Sequence, residues 1–355
     1  MSGDRVRVGI VGCGAVTRRH HVPSILKFPS LEIGGLFDVS PGVAEDIRSR
    51  FGLSSSVFSC LDDLLRDESL DLIDICSPGP VHFEQTCRAL ESGRNVLIEK
   101  PPLYTPSELQ IVVDLADRVG KKVGVVFNNR YRNVIRDLKG HIDSGRIGNP
   151  VKVHLAHHAN LVYSESPWLW DQSSSKYLLY ELGIHHLDIL VHLFGEHESV
   201  VAVVPTGQVF RTDLVTDIQA IVKFRSGVLA TIDITQDSTR HSTYFSKMNV
   251  YGTAGDAFVR FFPPLVRLTA GIEHPVVILR SEIASFSRFA FDLATGNYFK
   301  GRNLGHEEIF RMVPGWLFRN EVFPLELEKV LPTIRLLHDL SEKIPAYQQP
   351  EKRQG

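Results

Sequence analysis

Disulfide and zinc-binding patterns are missing from this sequence. Its four cysteines are Cys13, Cys60, Cys76 and Cys87. No two of them stand in a CxxC spacing, which argues against a disulfide scaffold or a zinc knuckle and is typical of free thiols in a reducing compartment. The 15 histidines include doublets, but adjacent side chains point to different sides of a helix or strand. We therefore expect no metal site.

The sequence also lacks a surplus of charge of one sign and a long apolar run. The 39 Lys and Arg residues nearly balance the 41 Asp and Glu residues, which leaves a formal net charge of −2 at pH 7. Without a basic surplus, the composition favours neither nucleic acid nor an anionic membrane as a partner. The apolar stretch Val6–Val11 is too short for a signal peptide or a membrane span, and no later stretch is long enough. We expect a cytoplasmic globular protein.

What the first half does contain is a regular alternation of strand-like and helix-like segments. Short β-branched runs such as Val6–Val11 and Asn95–Ile98 alternate with amphipathic stretches such as Ser107–Val119. This alternation predicts an α/β domain with a doubly wound parallel sheet that helices cover on both faces. Because 355 residues are too many for one ordinary core, we place this first domain at residues 1–128.

The remaining residues, 129–355, have a different rhythm. Strand-like runs dominate, and one long helix is predicted at Tyr177–Phe194. The pattern predicts an α+β domain with an open-faced, mostly antiparallel sheet. A last helix at Leu325–Lys343 belongs either to this domain or packs back on the first one. Residues 263–324 show no clear period and give no prediction.

A glycine fingerprint follows the first predicted strand. In the segment GIVGCGAVT, Gly12 permits a tight turn and Gly14 lets a diphosphate approach the backbone. Ala15 and Val16 open a helix whose N-terminal N–H groups and dipole favour phosphate. Thr17 replaces the third glycine, and we expect slightly looser helix–strand packing there. Because the pattern lies between a strand and a helix, it predicts a dinucleotide site.

An acidic residue supports this interpretation. Asp38 ends the second predicted strand, at about the distance from the fingerprint where dinucleotide-binding proteins carry a carboxylate. Such a carboxylate accepts hydrogen bonds from the adenosine ribose and repels a 2′-phosphate. No arginine stands beside it, because Val39, Ser40 and Pro41 follow. The sequence therefore favours NAD over NADP as the cofactor.

Six short motifs occur in a fixed order along nearly the whole chain. They are GIVGCGAVTRRHHVPSI, FDVSP, CSPGPVH, EKP, FNNRY and ELGIHHLD. In this order they resemble the glucose–fructose oxidoreductase/inositol dehydrogenase (Gfo/Idh/MocA) family. The resemblance implies a Rossmann domain joined to an open-faced sheet domain, and a homo-oligomer, dimer or tetramer, assembled through that sheet. It also implies an NAD(P)-dependent enzyme that acts on a CH–OH group of a sugar, cyclitol or similar polyol.

The resemblance assigns roles to residues of the first half. It places Lys100 near the nicotinamide and the reacting carbon, and it places Arg130 and Tyr131 near the domain junction, as substrate contacts. The residues expected at the cofactor are Gly12, Gly14, Ala15, Val16, Asp38, Ser77, Pro78, His82, Glu99, Lys100, Pro101 and Asn128.

In the second half, the resemblance makes His185 the general acid/base and Glu181 its carboxylate partner. The family usually has Asp at the position of Glu181. On an α-helix, positions 181, 185 and 188 share one face, so Asp188 is a candidate substrate contact. A carboxylate beside a histidine orients the ring for proton transfer from an alcohol. Trp168 and Trp170 either stack on a sugar ring or pack at a hinge.

Two other functions are compatible with this fold and cofactor. One is an NAD-dependent glycosidase, in which the cofactor is recycled within each turnover. The other is a regulator that binds NAD(P) without catalysis, and it stays open because of Glu181 and the bulky segment Ser175–Tyr177. The presence of both Lys100 and His185 favours an enzyme, while the sequence leaves the substrate and the reaction direction open.

Overall fold

The computed structural model describes residues 5–158, 178–206, 217–235, 245–269, 275–296 and 305–344. The chain divides into two compact units. The first consists of Met1–Tyr131 with Phe299–Ile334, and the second of Arg132–Tyr298 with Arg335–Gly355. The continuous stretch of the first unit ends near residue 128, and the unit also contains the late segment Phe299–Ile334.

The first unit is built on a parallel sheet. Its strands are β1 Val6–Val11, β2 Leu31–Phe37, β3 Ser56–Val57, β4 Leu72–Ile75, β5 Asn95–Ile98 and β6 Val123–Val125. They lie in the order β3-β2-β1-β4-β5-β6, and every neighbouring pair is parallel. Most side chains of the central strands are apolar and buried, as a sheet covered on both faces requires. This order is that of a Rossmann fold, so the predicted α/β class is confirmed.

A late segment of the chain packs on this sheet at β6. The N–H of Val125 donates a hydrogen bond of 2.8 Å to the carbonyl of Leu325. Trp316 stacks on Phe323 with ring centroids 4.5 Å apart, and a Cβ on Gly124 would lie 2.6 Å from the Phe323 ring. Local periodicity cannot reveal contacts between residues so far apart in sequence.

The second unit contains a seven-stranded sheet. Its strands are β7 Pro150–His158, β8 His197–Thr206, β9 Asp217–Phe224, β10 Leu229–Thr235, β11 Phe245–Gly252, β12 Asp256–Phe261 and β13 Pro264–Thr269. They lie in the order β13-β12-β11-β7-β10-β9-β8, with β7 and β10 parallel and the other pairs antiparallel. Along β9 the side chains from Ile218 to Phe224 alternate between buried and more exposed positions, so one face of the sheet meets the core. The predicted mostly antiparallel sheet is confirmed.

Helices connect and flank the strands. In chain order they are α1 Val22–Ile25, α2 Val43–Phe51, α3 Leu61–Arg66, α4 His82–Glu91, α5 Pro106–Val119, α6 Asn133–Asp143, α7 Ile184–Phe194, α8 Pro275–Ala294, α9 His306–Arg319 and α10 Leu331–Glu342. A π-helical turn precedes α1 at Thr17–His21, and another precedes α7 at Leu179–Gly183. The first turn of α10 belongs to the first unit and the rest to the second. Within the described ranges, no helix combines the length and the apolar character needed to cross a membrane.

Candidate functional site

The carboxyl ends of β1 and β4 meet where the strand order of the first sheet reverses. Gly12 follows β1, and Cys76 and Ser77 follow β4. A Cβ on Gly12 would lie 2.7 Å from the backbone nitrogen of Ser77, and the φ of Gly12 is +90°. Glycine is therefore required here both by the close approach and by the backbone conformation. Ligands of open α/β sheets bind at this kind of crossover.

Gly14 faces a different environment. A Cβ built on it would meet no heavy atom within 4 Å, and its φ lies outside the left-handed region. The packing of the protein therefore does not require glycine at this position. The turn fixed by Gly12 leaves free space at Gly14, and a diphosphate could approach the backbone there.

Thr17 ties the following helix to the glycine turn. Its buried hydroxyl donates a hydrogen bond of 2.6 Å to the carbonyl of Gly12. Ala15 and Val16 begin the helix, which continues through the π-helical turn Thr17–His21. This hydrogen bond connects the start of the helix to the turn, and the Thr17 side chain is fully buried there.

Asp38 lies at the end of β2 and is half-buried. Its Oδ2 accepts a hydrogen bond of 2.7 Å from the N–H of Cys13, and its Oδ1 accepts one of 2.8 Å from the N–H of Ser40. The carboxylate is thereby fixed beside the glycine turn. Each oxygen keeps further acceptor capacity, which is what a ribose hydroxyl would use.

The turns after β4 and β5 are joined by His82. Its buried ring lies between two backbone carbonyls, with Nδ1 2.7 Å from Pro101 O and Nε2 2.8 Å from Ser77 O. The hydroxyl of Ser77 donates to Gln85 over 2.5 Å, and Pro78 leads into the short 3-10 turn Gly79–Val81. His82 therefore supports the two loops in which the sequence placed cofactor contacts.

Glu99 holds the backbone at the end of β5. Its side chain is buried, and its Oε2 accepts a hydrogen bond of 2.9 Å from the N–H of Lys100. Its own N–H donates to the carbonyl of Ile75 in β4 over 2.9 Å. The peptide that carries Lys100 is thus anchored from two sides, at the edge of the sheet where ligands bind.

A buried polar cluster lies beneath this edge and centres on His21. The Nδ1 atom of His21 is 2.8 Å from Oδ2 of Asp74, and the Nε2 atom is 2.8 Å from Oε1 of Glu99. Cys76 Sγ lies 3.2 Å from Nδ1. His306 places its Nε2 3.8 Å from the same Glu99 oxygen. The ring of His21 therefore bridges the carboxylates of two adjacent strands.

The electrostatics of the cluster follow from burial and these contacts. Burial opposes a charge on His21, but the attraction of Asp74 and its other partners raises the pKa of His21 well above its ordinary value. Burial likewise opposes a charge on Glu99, yet the hydrogen bond from His21 and the nearby ring of His306 hold the pKa of Glu99 well below its ordinary value. Burial lowers the pKa of His306. At neutral pH, His21 and Glu99 are thus a charged pair.

Sequence reasoning missed this cluster. Two groups of three residues have ligand atoms within 4.8 Å of one another, as residues that bind a metal ion do. They are His21 with Asp74 and Cys76, and His21 with Glu99 and His306. Both nitrogens of His21 are hydrogen-bonded to carboxylates at 2.8 Å, so the observed geometry is that of hydrogen-bonded ion pairs. One signal was present, because Asp74 interrupts the apolar strand LIDI and a buried carboxylate needs a partner.

Asn128, Arg130 and Tyr131 form a 3-10 turn at the end of the first unit's continuous stretch. Asn128 and Arg130 are buried, and the Arg130 guanidinium lies 5.8 Å from the ring centre of Phe127. A Cβ on Gly305 would lie 2.0 Å from the carbonyl oxygen of Asn128. The turn is therefore packed tightly against the start of α9, a partner that the sequence did not suggest.

The candidate acid/base residues lie in the second unit. Glu181 belongs to the π-helical turn Leu179–Gly183, whereas His185 and Asp188 belong to α7. The sequence treated the three as one face of a continuous α-helix, and the π turn corrects this because it changes the rotation per residue. Glu181 and His185 are half-buried and Asp188 is fully buried. Such π turns are frequent at functional sites.

The neighbouring histidine has a different environment. His186 is buried against His157, with ring centroids 4.4 Å apart. Burial lowers the pKa of His157 to about 4 and that of His186 well below its ordinary value. Both rings are therefore uncharged parts of the core at neutral pH. The two candidate substrate contacts Trp168 and Trp170 lie outside the described residues.

Both halves of the chain match models of one family. The model described as "Oxidoreductase family, NAD-binding Rossmann fold" of GFO/IDH/MocA matches residues 6–127. The model described as "GFO/IDH/MocA C-terminal domain" matches residues 135–258. The two matches agree with the two sheets described above.

Curated relatives match over about half of their length. Glucose-6-phosphate 3-dehydrogenase of Bacillus subtilis (strain 168) is 32% identical over 192 residues, which are 53% of each chain. D-glucoside 3-dehydrogenase of Escherichia coli (strain K12) is 28% identical over 200 residues, which are 55% of this chain and 56% of the relative.

A solved structure extends the likeness of fold to nearly the whole chain. The WlbA dehydrogenase from Bordetella pertussis, in complex with NADH and UDP-GlcNAcA, aligns with a TM-score of 0.80 and 19% identity. The alignment covers 97% of this chain and 96% of that one. Together with the two family models, the glycine turn and the strand order show that the chain belongs to the GFO/IDH/MocA family of oxidoreductases, with an NAD-binding Rossmann fold in its first unit.

Proposed function

We propose that this protein is an NAD(H)-dependent oxidoreductase acting on a CH–OH group of a sugar, cyclitol or similar polyol. The observation that carries the proposal is the free space at Gly14 beside the turn that Gly12 fixes. The Asp38 carboxylate, held beside that turn by two backbone N–H groups, favours NAD over NADP because it would repel a 2′-phosphate.

Each candidate residue has one role in binding the cofactor or in the reaction. Backbone N–H groups after Gly14 would hold the diphosphate, and Asp38 would accept a hydrogen bond from a ribose hydroxyl. A bound nicotinamide supplies the hydride acceptor or donor. Lys100, whose backbone Glu99 holds, polarises the reacting oxygen. His185, oriented by Glu181, accepts or returns the hydroxyl proton.

In this division of roles, both Lys100 and His185 are needed for turnover. Asp188, Arg130 and Tyr131 are then the candidates for further substrate contacts.

We also propose that the protein acts in the cytoplasm as a homo-oligomer formed through its seven-stranded sheet. Exposed apolar side chains on that sheet, Val151, Val201 and Leu229, support this, and light scattering after gel filtration would measure the oligomer size.

The test is a binding and turnover experiment on the intact protein. NADH and NADPH affinities are measured first by fluorescence, with NADH expected to bind more tightly. NAD reduction is then followed with glucose 6-phosphate, glucosides, inositols and nucleotide sugars. Net formation of NADH with one of these classes supports the proposal. Bond cleavage of a glycoside without net NADH would identify a glycosidase, and NADH binding without turnover of any class would identify a regulator.

A further inference from the structure

His21 joins two neighbouring strand ends through hydrogen bonds of equal length. Its Nδ1 and Nε2 atoms each lie 2.8 Å from a carboxylate oxygen, of Asp74 and Glu99 respectively. A carboxylate is an acceptor only, and a neutral imidazole has a single N–H. The two contacts together therefore require a proton on both ring nitrogens.

We propose that His21 is a positioning residue for Lys100: its doubly protonated ring holds the carboxylate of Glu99, and Glu99 in turn holds the backbone N–H of Lys100. The contribution to turnover rests on the function proposed above. The hydrogen-bond chain from His21 to the Lys100 peptide can be tested without any substrate.

The local sequence makes these hydrogen bonds important for the loop after β5. Lys100 is followed by Pro101 and Pro102, which have no backbone N–H. The N–H of Lys100 is therefore the last backbone donor before Leu103, and its acceptor is the Oε2 atom of Glu99, 2.9 Å away. A carboxylate that moved would release the peptide from which the lysine side chain extends.

The surroundings leave the two carboxylates as the charges that act on His21. Cys76 lies 3.2 Å from Nδ1, but burial raises the pKa of its thiol to about 12, so the thiol is neutral at pH 7. His20, on the same turn, stacks on His306 with ring centroids 4.7 Å apart. Burial lowers the pKa of His20 to about 4 and also lowers that of His306. His21 is thus the charged histidine of the three.

Two measurements on the wild-type protein test the chain of contacts directly. Nitrogen-15 NMR of histidine-labelled protein at pH 7 should show a signal from an imidazole with both nitrogens protonated that disappears in His21→Gln. Hydrogen exchange resolved for single amides by NMR should show a protected amide at Lys100, because its N–H donates to the carboxylate of Glu99.

Variants then test whether the hydrogen bonds from His21 to Lys100 affect turnover. His21→Gln should speed exchange of the Lys100 amide about tenfold or more, and it should lower kcat while the Kd for NADH changes less than about threefold. The matched control is His20→Gln, which alters the adjacent histidine without touching either carboxylate, and it should leave both readouts unchanged. The double variant His21→Gln/Glu99→Gln should lose less kcat than the two single losses combined, since each single variant already breaks the same contact between His21 and Glu99.

Several results would overturn the proposal. A singly protonated His21 at pH 7 would do so even if His21→Gln failed to fold, and so would a stoichiometric metal ion found bound at His21 by elemental analysis. Unchanged exchange at Lys100 in a folded His21→Gln variant would also refute it. If the protein had no dehydrogenase activity, a protected Lys100 amide that His21→Gln exposes would still support the positioning contact, so the two proposals fail separately.

Discussion

Oδ2 of Asp38 lies 2.7 Å from the backbone nitrogen of Cys13, so the acidic residue at the end of β2 also holds the glycine turn at the end of β1. Under the proposed function, the same carboxylate sets the cofactor preference and fixes the shape of the turn. Its second oxygen accepts the N–H of Ser40, and this fixes the orientation that a ribose would meet.

Asp38→Asn should therefore weaken NADH binding and relax the choice of cofactor. The amide removes the charge that repels a 2′-phosphate, so the ratio of NADPH to NADH affinity should rise about tenfold or more, which corresponds to about 1.4 kcal/mol. Titration of both cofactors by fluorescence measures the ratio. Asp143→Asn, which removes an exposed charge on α6, should leave it unaltered, and an unchanged ratio in Asp38→Asn would refute the role of the carboxylate.

The two glycines of the turn should respond differently to alanine. Gly12→Ala forces a Cβ to 2.7 Å from Ser77 N at a φ of +90°, so we expect the free energy of unfolding to fall by about 1–3 kcal/mol or more. Gly14→Ala meets no protein atom within 4 Å, so it should keep stability and lose NADH affinity. Urea denaturation and NADH titration check the pair. Unchanged NADH affinity in Gly14→Ala would show that the diphosphate does not occupy the space beside Gly14.

Much of the fold was predictable because its signals are local. The predicted bounds of β1 and β5 coincide with the observed strands, since a buried parallel strand is a short apolar run between polar turns. The glycine turn and Asp38 were predictable for the same reason. The packing of Trp316 and Phe323 at β6 was not, because nothing near β6 in the sequence indicates which distant residues cover it.

The His21 cluster could not be predicted from the sequence for a related reason. It depends on the register of β4 and β5, which brings Asp74 opposite Leu97 and leaves Glu99 one residue beyond the paired stretch. Register is a property of the assembled sheet, so a doublet of histidines in the sequence did not reveal its partners.

The ion pair in this cluster should make stability depend on pH. The pKa of Glu99 is depressed, so its stabilising effect is present above its ordinary value of 4.5 and is lost as pH falls through the lowered value. The pKa of His21 is raised, so its effect is complete below its ordinary value of 6.5 and is lost as pH rises through the raised value. The pair should stabilise most between pH 4.5 and 6.5.

Glu99→Gln should accordingly lower the urea midpoint more at pH 5.5 than at pH 8.5, relative to wild type. The groups that face His21 besides Glu99 are Asp74, Cys76, His20 and His306, and all are retained in this variant. Asp143→Asn serves again as the surface control, with no such difference. An equal loss at both pH values would contradict the assignment of charge to the pair.

Trp316→Ala should test whether the late segment stabilises the first unit. Trp316 is 1% exposed and packs on Phe323, whereas Phe318 on the same helix is 42% exposed. Deleting the buried ring should cost about 3–5 kcal/mol of unfolding free energy, and Phe318→Ala should cost much less. Equal losses in the two variants would mean that this packing contributes little.

We propose that Lys100 and His185 are both needed for turnover. The most direct measurement is the turnover of Lys100→Met and His185→Ala with the best polyol found in the panel, with the Kd for NADH measured in parallel. We predict that each variant binds NADH like the wild type and loses about 10²–10⁴-fold in kcat. Wild-type turnover in both variants would contradict the account.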